Sequence, residues 1–252
     1  MKSDQKLWTR EELIIAINLY FKIPFGRLHS RNPQVIELAE LLNRTPGSIA
    51  FKLVNFASLD PTLKQKGADH TSKLDKEIWN EFYTNWDNLP FESEKLLANF
   101  QNTTVENLNN IPEADLPKEG IERERLVKTR VNQILFRKSI LSAYDGKCCI
   151  TGISLSELLV AGHIRPWSLD KENRMNPENG LCLNSLHDKA YENGLISITP
   201  EYRIVVSKDL PKNESWDFDY FRKFEGNEIQ LPKRFLPNPE FLKYHYNERF
   251  RK

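Results

Sequence analysis

The sequence is poor in cysteine, with three in 252 residues, two of them adjacent at Cys148 and Cys149. That excludes the disulfide framework of small secreted domains and suits a reducing cytoplasm. It also lacks a Cys-x-x-Cys pair, so a four-ligand structural zinc site is not expected. Cys148, Cys149 and Cys182 read instead as small core residues. No apolar run approaches the roughly 20 residues of a membrane span. The opening string MKSDQKLWTREE has no signal-peptide core, so a cytoplasmic protein is expected. One-sided charge is missing too. The net charge is +1, which gives no global electrostatic case for a nucleic-acid partner. Charge is uneven locally: residues 118–147 hold eight Lys/Arg against four Asp/Glu.

The chain is long enough for one large domain or two small ones, with 39% apolar and 28% charged residues. Residues 8–22 open with Thr9 and Glu12 spaced as a capping box, followed by Leu13, Ile14, Ile17, Tyr20 and Phe21 at helical spacing. Asn32-Pro33 and Thr45-Pro46 start two more helices, separated by a tight turn at Asn43-Arg44. This trihelical pattern loosely resembles Myb/SANT-type domains and suggests a helix-turn-helix. In such a fold the third helix offers Arg44, Ser48, Lys52 and Asn55 to the major groove. The alternative is a helical packing module. A further helix around 74–86 carries Ile78, Phe82 and Trp86 on one stripe, and His70 before it has no evident partner.

Residues 91–119 are polar and Asn-rich without sustained periodicity, and read as a linker. The expected organisation is therefore α+β: a helical domain at 1–90, a linker at 91–119 and a second domain at 120–252. Residues 120–146 predict a long helix. Val127, Val131, Leu135 and Ile140 face its core, and Arg130, Gln133 and Arg137 are left at the surface for phosphates. After residue 195, a hairpin over 196–206 and a short C-terminal helix from Pro239 complete the chain.

The chain is organised around residues 148–198. The apolar run Leu158–Ala161 leads to His163 in the string AGHIRPW, and Asn179-Gly180-Leu181-Cys182-Leu183 reads as a second strand. Asn184 or Ser185 then caps a short helix with His187, Asp188 and Tyr191, ended by Asn193-Gly194. The unit is strand, loop, strand, helix. Asn179 lies 16 residues after His163, and His187 lies 8 after Asn179. With their flanking strings CCITG, GHIRPW, PENGL and LHDKAYENGL, these residues resemble the HNH family of ββα-metal nucleases, in particular its restriction-endonuclease subfamily.

The resemblance implies a metal-dependent DNA endonuclease acting in restriction or another defence, leaving 5′-phosphate and 3′-hydroxyl ends. It puts His163 in the place of the general base, Asn179 in that of the residue orienting it, and His187 in that of the metal ligand. It implies one divalent ion, Mg²⁺ or Mn²⁺ first, with Ni²⁺, Co²⁺ or Zn²⁺ as alternatives that suit a ring nitrogen. Where many members carry an Asp before the first His, this chain has Gly162, and Asp188 is the reserve ligand. Arg165, beside the finger, joins the DNA-contacting set. DNA is the expected partner, with no membrane association, and a homodimer is left open. The competing readings are a DNA-binding protein with an inactive finger, and a nuclease acting on RNA or single strands.

Overall fold

A computed structural model describes residues 6–63, 70–84, 86, 89–210 and 216–252. The chain divides into two compact units, residues 1–138 and 139–252. The N-terminal unit is helical and the C-terminal unit mixes short strands with helices. Among the described residues, no helix is long and apolar enough to cross a membrane.

The first unit is built around α1 (Arg10–Lys22). The Thr9 hydroxyl accepts from Glu12 N–H, and the Glu12 carboxylate accepts from Thr9 N–H, so the capping box closes. The sequence pattern marks one apolar face, but residues 12–21 are buried all round. The reason is that α3 (Pro46–Leu59), α4 (Lys73–Thr84) and α5 (Leu89–Phe100) all pack on α1, while α2 (Pro33–Leu41) packs on α3. Trp79 of α4 lies among Tyr20, Phe21 and Phe56, with ring centroids 5.8–6.3 Å apart. Asn43 turns the chain from α2 to α3 at φ 48°, a conformation Asn tolerates. His70 has a partner after all: its ring stacks on Phe51 at 5.9 Å. The preceding Gly67, Ala68 and Asp69 lie outside the described residues.

Residues 91–119 are not a linker. They carry most of α5, the short α6 (Val105–Leu108) and a 3₁₀ turn at Glu113–Asp115. Glu94 and Ser93 are buried and accept from Asn18 Nδ2, while Asn109 Nδ2 also donates to Glu94. Lys22 forms an ion pair with Glu94. Ile111 packs with Val127 and Val131. The segment is buried partly through polar groups, so an apolar-periodicity search does not find it. Helix α7 (Ile121–Ala143) crosses the division, residues 121–138 belonging to the first unit and 139–143 to the second.

In the second unit, β1 (Leu159–His163) pairs antiparallel with β2 (Gly180–Asn184), setting His163 opposite Gly180 and Gly162 opposite Leu181. Asn184 caps α8 (Ser185–Glu192), its side-chain oxygen accepting from His187 N–H at 2.9 Å. β3 (Ile196–Ile198) and β4 (Ile204–Val206) form the expected hairpin. The helices α9 (Trp216–Arg222) and α10 (Pro239–Glu248) follow. Cys148, Cys149 and Cys182 are buried, and Cys149 N–H donates to Cys182 O at 2.7 Å. They are core residues, and the bond from Cys149 ties the segment before β1 to β2.

Candidate active site

An open cleft of about 430 Å³ lies on the second unit, lined by β1, α8 and the end of α10. His163, at the end of β1, lines it together with Trp167, Asp188, Glu192, His245 and Arg249. The loop after β1 shapes the His163 environment. A His163 ring nitrogen, Nε2, lies 2.9 Å from Arg174 O. A carbonyl only accepts, so Nε2 carries the proton and Nδ1 is the basic nitrogen. Trp167 meets the ring edge-on at 5.5 Å. Burial holds the His163 pKa below the usual imidazole value, only partly offset by the Arg174 carbonyl. The ring is therefore neutral at pH 7 and able to take a proton.

Asn179 is wholly buried beneath this loop. Its side-chain oxygen accepts from Arg165 N–H at 2.8 Å, and its amide donates to Arg165 O and Asn173 O, both at 3.1 Å. Asn179 O in turn accepts from Ile164 N–H. One side chain thus fixes both ends of the loop, and Asn173 is bonded directly to Arg174, whose carbonyl holds His163. A buried amide with all three bonds made is a rigid clamp.

Residues 187 and 188, neighbours on α8, have different surroundings. His187 is buried and is not among the residues lining the cleft. Its Nδ1 lies 3.1 Å from the Asn184 side-chain oxygen, and Tyr220, Phe221 and Phe224 surround the ring at 5.2–5.4 Å. Its Nε2 has no hydrogen-bond partner among the described residues. Burial, helped by Lys223, pushes its pKa down to about 4. Asp188, about 100° further round the helix, faces the cleft. Its carboxylate has no hydrogen bond or ion pair among the described residues. Burial, together with the neighbouring Glu192, raises its pKa to about 6.

Gly162 explains why Asp188 fits there. A Cβ added at position 162 would lie 2.4 Å from Asp188 Oδ1. The missing side chain on β1 leaves the space that the α8 carboxylate fills. The glycine at 162 and the position of Asp188 are thus one feature.

The other expected contact residues are spent differently. Lys52 is buried in an ion pair with Asp75 at 2.8 Å, and Asn55 is buried with its amide on His70 O. The Arg44 guanidinium pairs with Glu12 at 2.6 Å, donates to Lys6 O and Leu7 O, and lies 4.0 Å over Trp8. These three hold the first unit together and do not present a groove-reading face. Ser48 is half-buried. On α7, Gln133 is exposed, Arg137 is half-buried and Arg130 pairs with Asp115 at 3.4 Å. Arg165 is next to the cleft but pairs with Asp170 at 3.0 Å and lies 4.8 Å from the Tyr244 ring.

Residues 148–199 match a family model described as HNH endonuclease. The matched segment, which carries β1, β2 and α8, is similar to HNH endonucleases. No curated protein matches the chain. His245 and Arg249, from α10 and its end, complete the cleft from outside the matched segment and carry no motif signature. Glu192 was hidden within LHDKAYENGL, where only its position four residues after Asp188, one helical turn on, puts both carboxylates on one face.

Proposed function

We propose that the second unit is a metal-dependent DNA endonuclease domain that hydrolyses phosphodiesters, acting in restriction or related defence. The observation that carries this is the cleft itself: a neutral, tautomer-fixed His163 lines it together with the Asp188 carboxylate, which has no hydrogen bond or ion pair among the described residues, within a segment matching HNH endonucleases.

The family match implies a divalent ion. Among the described residues, no group of three or more His, Cys, Asp or Glu is arranged to hold one. The fit is that of a partial shell. Asp188 offers an unpartnered oxygen donor beside His163, with Glu192 near it, so substrate oxygens and water would complete the coordination. Asp188 takes the holding role in place of His187, whose ring is enclosed by Tyr220, Phe221 and Phe224. Bound there, a divalent ion supplies positive charge to a phosphate.

The chain's own residues do the rest. His163 Nδ1 takes the proton from the attacking water, and Nε2–H stays on Arg174 O, so the ring does not rotate as it becomes charged. Asn179 holds that geometry through Asn173 and Arg165. Trp167 shields the ring edge from solvent. The test is plasmid nicking across a divalent-metal panel, with His163→Ala as the control. Metal-dependent nicking by the wild type, lost in the variant, supports the reading. A chain that binds duplex but nicks under none of the metals would favour an inactive finger, a reading to which the enclosure of His187 lends weight.

A further inference from the structure

The matched segment ends at residue 199, yet the cleft does not. Its remaining wall comes from α10, some fifty residues later, and that wall is fixed in place. His245 stacks on Tyr191 of α8 at 3.6 Å, with one ring nitrogen on Ser197 Oγ at 2.8 Å and the other donating to Tyr191 O at 3.1 Å. At the end of the helix, Arg249 N–H donates to His245 O and Arg251 N–H to Gly194 O. Gly194 has φ +70°, and a Cβ there would lie 2.1 Å from Arg249 O. Only glycine accepts both that conformation and that approach.

Arg249 is exposed in the cleft. One of its guanidinium nitrogens donates to Glu192 O at 3.3 Å, on the last turn of α8. Among the described residues it makes no ion pair, unlike Arg44, Arg123, Arg165 or Arg222. A guanidinium has five N–H donors in a planar fork, so most remain available for an oxyanion. The charge balance of the cleft asks for it. His163 and His245 are neutral, Glu192 is already met by Lys189 at 3.0 Å, Asp188 has no ion pair among the described residues, and Arg249 is the cation among the described residues that line the cleft.

We infer that Arg249 binds a non-bridging oxygen of the scissile phosphodiester, so that the C-terminal helix supplies the phosphate clamp the matched segment lacks. This rests on the nuclease reading above. The fork opposes the repulsion between substrate phosphate and the two carboxylates, and its contact tightens as charge builds on the phosphate.

The test uses the full chain. Plasmid cleavage is measured with Mn²⁺ or Mg²⁺, and binding of a fluorescein-labelled 30-base-pair duplex is followed by anisotropy in EDTA over a salt series. Arg249→Ala should lower kcat/KM by about tenfold to a hundredfold and reduce the salt slope of binding by about one, with an unchanged melting temperature. Arg249→Lys should restore part of the cleavage, since it returns the charge but not the fork. Lys243→Ala, on the same helix but outside the cleft, should change neither. Arg249→Ala cleaving and binding within twofold of wild type overturns the clamp and leaves the nuclease reading standing. A wild type that cuts under no metal, but whose salt slope falls in Arg249→Ala, fails the nuclease reading and keeps the phosphate contact. A wild type that neither cuts nor binds sinks both.

Discussion

The two units use their charges in opposite ways. In the first, Lys52 is buried against Asp75, Arg44 against Glu12 and Lys22 against Glu94, so each charge is met inside the fold. In the cleft of the second, Asp188 and Arg249 have no ion pair among the described residues, and a pKa raised to about 6 records what the desolvated carboxylate costs. A charge that is paired and buried holds a structure together. One left without a counter-charge in a cleft is available to a ligand. By that criterion Lys22, Arg44 and Lys52 are structural, while Asp188 and Arg249 are open to a ligand.

The sharpest way to break the comparison is His163→Ala. If the cleft is the chemical site, cleavage should fall by about 10²–10⁴ while melting temperature and duplex affinity hold. Cleavage within a few-fold of wild type would remove His163 from the reaction. Next is Lys52→Ala, which leaves Asp75 buried and unpaired. It should destabilise the first unit by about 3–5 kcal/mol in chemical denaturation. Lower duplex affinity with no loss of stability would return Lys52 to the DNA-contacting set.

Acid titration sharpens the second unit. His187 and His245 both have folded pKa values of about 4, below the unfolded value of 6.5. Below pH 6.5 the unfolded chain takes protons that the folded chain refuses. Their contribution is thus complete above 6.5 and lost as pH falls towards 4, at most about 3 kcal/mol for each. Denaturation curves at pH 7 and 4.5 should show this, and His245→Gln should remove roughly half of the difference. Equal stability at the two pH values would mean that the rings are not held neutral.

The smallest effect has the opposite sign. Asp188 has a raised folded pKa, so its contribution is complete below 3.8 and lost as pH rises through about 6. Asp188→Asn should therefore stabilise the chain at pH 7 by about 1–3 kcal/mol, allowing for solvent screening, and leave stability at pH 3.5 unchanged. It should also abolish any rise in melting temperature on adding Mn²⁺. If that rise survives in Asp188→Asn and disappears in His187→Ala, the enclosed histidine is the ligand instead.

Local signals were legible where local chemistry decides. The Thr9–Glu12 box, the Asn32-Pro33 and Thr45-Pro46 starts, the Asn184 cap and the hairpin over 196–206 all concern residues a few positions apart. The strings around His163, Asn179 and His187 likewise gave the ββα order. Residues 91–119 were misread because their burial runs through Glu94, Ser93 and Asn109, whose partners come from elsewhere in the chain. Arg44 and Lys52 looked like groove-reading residues because a helix pattern does not reveal which cations already have buried partners.

The sequence by itself determined helices α1 to α4 and α7, the strand–strand–helix finger and the candidate base, because capping, periodicity and turn chemistry act over one to four residues. Only the tertiary structure decided that Asp188 rather than His187 enters the cleft, that Gly162 makes room for it, and that Arg249 faces it from the far end of the chain. Those outcomes depend on a contact between β1 and α8 and on Gly194 receiving the Arg249 carbonyl, close approaches between segments that no local pattern encodes.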